Sequence, residues 1–82
     1  MAAQFKPSAA KALFNCGWLV KAPSATIVIG AVRLRVTTTG QWFARIKGDF
    51  AASGTCTDPA AAAMDAHEFA WAYRAQNQQK EG

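Results

Sequence analysis

Residues 31–46 read AVRLRVTTTGQWFARI, and their side chains sort by parity. Val32, Leu34, Val36, Trp42, Ala44 and Ile46 share one face, while Arg33, Arg35, Thr37, Phe43, Arg45 and Lys47 share the other. Period-two alternation marks strands buried on one side, because successive side chains of a strand point to opposite faces. Parity also sets the turn. A two-residue loop at Thr39-Gly40 would pair even positions with odd ones and mix the faces. A three-residue loop at Thr38-Thr39-Gly40 pairs Val36 with Trp42, Leu34 with Ala44 and Val32 with Ile46, and it puts Gly40 where a left-handed residue is needed. That register sets Arg33 directly across from Arg45, with Lys47 as the next outward position on the strand.

Upstream, Thr26 to Ile29 is continuously apolar and largely β-branched, and Gly30 interrupts it. A glycine inside a strand pattern marks a bulge or bend, so the strand is expected to resume through Val36. Ala22-Pro23-Ser24-Ala25 reads as a turn. Trp18 to Ala22 alternates as a strand does. Residues 8–16 stay open between a strand and a short helix capped by Ser8 and stopped by Gly17. Downstream, Phe50 to Thr57 reads as a further short strand broken at Gly54. Asp58 followed by Pro59 is a helix start, and the helix is expected to run to about Gln78.

On that helix Ala62, Ala66, Phe69, Ala70 and Tyr73 form one stripe, mostly alanine, which lets the helix approach a sheet closely. Nearly opposite lies a second stripe: Ala60, Met64, His67, Trp71 and Ala75. A two-layer domain buries only one stripe against its sheet. The second is either covered by the N-terminal arm around Phe5 or used for a dimer or second contact through Met64, His67 and Trp71, since exposed Trp and Met are enriched at interfaces. The sequence therefore predicts an α+β domain spanning residues 1–82. An arm covers 1–7, an antiparallel sheet of three to four strands covers 18–57, one C-terminal helix covers 59–78 and packs the sheet, and a frayed tail covers 79–82.

The composition narrows the function classes. Eighty-two residues with 51% hydrophobic content, much of it alanine, give a small core, so docking on a partner or on a second copy is expected. The formal charge of +4 favours an anionic partner and argues against an acidic DNA mimic. The start, MAAQFKPSAAK, lacks the charged region and long apolar run of a signal peptide, and no stretch has the length of a membrane span. These point to the cytoplasm, with no membrane partner and with Cys16 and Cys56 reduced.

Chemical motifs are sparse. One histidine and two distant cysteines, in neither CxxC nor HxxxH spacing, do not make a metal site. Glycine-rich phosphate loops are absent, so no cofactor is signalled. Asp49 and Asp58 fit a turn and a cap. A nucleophile role for Cys56 needs a paired base, and the single histidine, His67, lies more than two helical turns away. The chain thus reads as non-enzymatic, and a small enzyme using Cys56 and His67 is the third choice. The distinctive feature is the outward face, with Arg33, Arg35, Arg45 and Lys47 around Phe43. Like charges directly opposite on a sheet destabilise it, and either the side chains splay into water or an anion bridges them. Asp49 is expected near the same group.

The layout GxxRLxV, GxWxAxxxG and SGTxxDxxxAxxxA is held by Gly30, Arg33, Leu34, Val36, Gly40, Trp42, Ala44, Gly48, Ser53, Gly54, Thr55, Asp58, Ala62 and Ala66. It resembles small phage and prophage proteins built as a β-meander followed by one helix, over roughly residues 25–75. Some such proteins are anti-CRISPRs, which stop a host CRISPR surveillance complex by sitting on it. The resemblance implies a phage-type viral protein acting in the host cytoplasm as a CRISPR-Cas inhibitor, through protein–protein contact with a host protein–nucleic acid complex that blocks target DNA binding. It carries over no functional residue. The alternative expectation is a small basic DNA- or RNA-binding protein that uses the same sheet face.

Overall fold

The computed structural model describes residues 4–81, with side chains of the last helix described as far as Gln76. The chain runs α1 (Pro7–Asn15), β1 (Leu19–Lys21), β2 (Ser24–Ile29), β3 (Val32–Thr37), β4 (Gln41–Ile46), β5 (Asp49–Thr55) and α2 (Pro59–Glu81). The five strands form one antiparallel meander in sequence order. The α+β class stands, but the sheet has five strands rather than three or four, and a second helix precedes it.

The extra strand arises at Gly30. The glycine does not bulge a continuous strand. Ile29 pairs with Val32, so Gly30-Ala31 is a two-residue hairpin turn. Its first central residue has φ 59 while Ala31 keeps negative φ, which is the type II′ pattern that glycine at this position supports. The β4–β5 turn is equally tight. Ile46 pairs with Asp49, and Lys47 and Gly48 have φ 55 and 84, as a type I′ turn requires. Lys47 is thus a turn residue and not the next strand position. The central hairpin has the register that parity predicts: Val32↔Ile46, Arg33↔Arg45, Leu34↔Ala44 and Val36↔Trp42.

Helix α1 resolves the open reading of residues 8–16. Its N-cap is Lys6, without a side-chain cap bond, and Pro7 occupies the first turn, where its fixed φ and missing N–H are no handicap. Ser8 is therefore not the cap, and residue 7 belongs to the helix rather than to an arm. The helix ends at Gly17 as expected. Gly17 N–H donates to Phe14 O and Trp18 N–H donates to Leu13 O, both at 3.0 Å. This 6→1 and 5→2 pair is a Schellman motif, which favours a contact between the flanking apolar residues. Here those residues are Leu13 and Trp18, both buried.

Helix α2 starts where the sequence placed it. Asp58 Oδ1 accepts from the Ala61 N–H at 3.0 Å, satisfying one of the orphan donors of the first turn. The helical backbone continues to Glu81, past the expected end at 78, and Gly82 of the expected tail lies outside the described residues. Ala62, Ala66 and Ala70 are fully buried and bring α2 down on the sheet face formed by Val32, Leu34, Val36, Trp42 and Ala44. The Trp42 ring lies 6.1 Å from the Phe69 ring. Trp42 pairs with Gly54, and a Cβ on Gly54 would sit 2.5 Å from the Trp42 indole nitrogen. Gly54 therefore makes room for the indole inside a continuous strand and does not break it. Among the described residues no helix is long and apolar enough to cross a membrane.

Candidate functional site

With α2 on one face of the sheet, no described element covers the opposite face. Three cross-strand rows fill it. The first is Val28, Arg33, Arg45 and Phe50; the second is Leu19, Thr26, Arg35, Phe43 and Ser53; the third is Lys21, Ser24, Thr37, Gln41 and Thr55. No acidic residue holds any position in these rows. Asp49 pairs with Ile46, on the parity of the packed face, which corrects the expectation that it sits among the arginines.

Arg33 and Arg45 face each other in register and are both exposed. Opposed Cβ atoms in an antiparallel pair are about 4.5–5.5 Å apart, and like charges so placed are destabilising. Arg35 lies across from Phe43, which is half-buried. Arg33, Arg35, Phe43 and Arg45 line one shallow concavity together with Ser24 and Thr26. Lys47 reaches the same neighbourhood from its turn, lining a second depression with Val28, Arg33 and Arg45. All five residues proposed from the sequence are therefore gathered on one side of the molecule.

Four exposed cationic or large apolar residues of this face were not legible as part of it: Leu19, Lys21, Val28 and Phe50. Val28 follows from the register once Gly30-Ala31 is recognised as a turn. Phe50 follows only from a bulge. Ala44 pairs with Ala52 but Arg45 pairs with Phe50, leaving Ala51 as the extra residue. The bulge shifts parity, so Phe50 stands on the open face, 65% exposed. Bulges re-aim side chains in this way.

The second proposed group divides. Met64 and Trp71 remain exposed, at 59% and 55%. His67 is partly covered, and among the described residues Trp18, just after α1, packs on it. The Trp18 indole N–H donates to His67 Nε2 at 2.9 Å, and the Trp71 ring lies 5.2 Å from the imidazole. Phe5 packs against the core cluster that includes Leu13 and Trp18, and residues 1–3 of the arm lie outside the described residues. The acceptor role of Nε2 leaves the neutral proton on Nδ1, which is buried without a hydrogen-bond partner.

Burial lowers the His67 pKa from its ordinary 6.5. In this direction the unfolded chain takes up the proton first as pH falls, so stability present above about pH 6.5 is lost on acidification toward the folded-state value. Protonation also removes the acceptor that Trp18 uses. We expect the urea midpoint to fall between pH 7.5 and pH 5, and the fall to shrink in His67→Gln. An unchanged pH dependence in that variant would show that His67 is not its source.

Cys56 and His67 bond to different partners. The Cys56 thiol donates to Asp65 Oδ2 at 3.1 Å. That hydrogen bond, with desolvation and the charges of Asp65 and Asp58, raises the thiol pKa above its ordinary 9.0. Cys56 is held as a thiol, opposite to the thiolate state a nucleophile needs. Among the described residues no three His, Cys, Asp or Glu side chains gather into a metal-binding group. Compared with known protein families, curated proteins and solved structures, the chain matches none.

Proposed function

We propose that this is a non-enzymatic binding protein whose open sheet face docks on the phosphate backbone of a nucleic acid. The observation that carries the reading is the facing pair Arg33 and Arg45, joined by Arg35 and Lys47 on a surface whose ladder rows hold no acid. A phosphate between two guanidiniums turns a repulsive pair into two charge-assisted contacts. The face is otherwise an apparent liability for a small domain.

The test is direct. Binding of a labelled oligonucleotide is expected to weaken with salt at a log–log slope of about −2 to −3, since each neutralised phosphate of a single strand contributes about −0.7. The double variant Arg33→Glu, Arg45→Glu is expected to lose more than about tenfold in affinity at low salt while keeping its circular dichroism spectrum. Full binding by that variant would overturn the choice of face.

A second reading is favoured by Val28 and Phe50, exposed apolar side chains at either end of the Arg33–Arg45 row. Arginine beside apolar and aromatic contacts is also the make-up of a protein interface. In this reading the face grips an acidic surface of a host protein–nucleic acid complex and blocks it, as expected of a phage-type anti-CRISPR inhibitor acting in the cytoplasm. Met64, His67 and Trp71 then serve a homodimer or a second contact. Co-purification of a host complex, abolished by the same double variant, supports this reading; an inhibitor that retains its target after the double charge reversal does not use this face.

A further inference from the structure

The β5 bulge adds an aromatic to the basic face, and its position distinguishes among anionic partners. Phe50 lies directly across from Arg45, and Phe43 lies two residues before Arg45 on β4. The two phenyl side chains are therefore diagonal neighbours on the same face, with arginine beside each. Phe50 is 65% exposed, so most of its ring stands in water rather than in the core. Without the extra residue at Ala51, the ladder would set alanine opposite Arg45 and turn Phe50 toward the helix side.

We propose that this face binds single-stranded nucleic acid, with Phe43 and Phe50 as a platform for bases and Arg33, Arg35 and Arg45 holding the backbone. The inference rests on the nucleic-acid reading above and goes beyond it in assigning the strandedness and the base contacts. Aromatic rings set among cations are how sequence-tolerant single-strand binders work, because every unpaired base offers a π-face. In a duplex those faces are stacked on one another, and only base edges and the backbone are within reach of a protein surface. The arginines can reach phosphates or base edges, but the side chains next to Arg35 and Phe43 are short: Ser24, Thr26 and Ser53. An exposed phenyl beside them has little to meet in a duplex groove.

The experiment measures anisotropy of three labelled probes of about 12 nucleotides, within the usual range of single-strand site sizes: an oligothymidylate, an abasic strand and a duplex. Oligothymidylate is expected to bind at least about tenfold more tightly than the abasic strand, as stacking of one or two bases implies. Phe50→Ala should remove most of that advantage, while Phe50→Tyr should retain it. Arg33→Glu with Arg45→Glu should weaken all three probes. Equal binding of thymidylate and abasic strands, or tighter binding of the duplex, would overturn the stacking proposal and leave the phosphate-binding reading intact. Binding of none of the probes at low salt would overturn both, and retention of polyglutamate in that case would assign the face to acidic protein.

Discussion

Gly40→Ala is expected to be among the most damaging single substitutions in the chain, lowering the unfolding free energy by about 3 kcal/mol or more. Two costs combine. Gly40 has φ 89, and holding a residue with a Cβ in such a sparsely populated conformation costs about 1–3 kcal/mol. The added Cβ also meets the backbone carbonyl oxygen of Cys56, with the Cys56 carbonyl carbon at 3.2 Å and the Asp58 nitrogen at 3.4 Å. Backbone cannot rotate aside as a side chain does. Relieving the clash means parting the β3–β4 turn from the segment that launches α2, which puts the 2.8 Å bond from Cys56 N–H to Gly40 O at risk. Such a bond contributes about 0.5–1.5 kcal/mol net. For a domain of this size the melting temperature should fall by about 12–24 °C. A fall of only a few degrees would show that the loop and the α2 entry move apart freely.

Leu34→Ala is the second large effect. Leu34 is fully buried at the centre of the sheet, with Ile27 as its partner on β2 but with small neighbours on β4 and on the helix. Ala44 is its partner on β4, and Ala62, Ala66 and Ala70 line the helix above. None can extend into the space left behind, so the cavity persists. Leucine-to-alanine changes in cores cost about 2–5 kcal/mol, rising with the residual cavity, and this site belongs in the upper half of that range. The check is chemical denaturation, with Leu34→Met as the volume-conserving control at less than about 1.5 kcal/mol. A loss below about 1 kcal/mol for the alanine variant would mean that α2 settles into the gap.

The alanine stripe that makes this site unforgiving was visible in the sequence, and so was its consequence, the close approach of α2. The helix start was equally plain, because Asp58 and Pro59 act on their own backbone within one turn. The short apolar run around Gly30 was different. A glycine between two strand-like segments is the same letter whether it bulges one strand or turns between two. The choice depends on whether Ile29 finds a partner at Val32, and pairing is a tertiary event. One misread turn cost a strand and, with it, the place of Val28 on the basic face.

What the sequence determined by itself is the β3–β4 hairpin: its register, its packed and open faces, and the opposition of Arg33 to Arg45. Alternation fixes which side chains share a face, and an odd-length loop fixes which positions face each other, so no distant contact is needed. What only the tertiary structure decided is the completion of that face and the covering of the helix. Phe50 reaches the open side because the β4–β5 ladder closes with Ala51 left over, which is a property of two strands together. Likewise His67 loses solvent and becomes the acceptor of Trp18, 49 residues away, because the end of α1 delivers that indole against α2. Local chemistry wrote the pattern of charge and apolarity; packing decided which residues stand beside it.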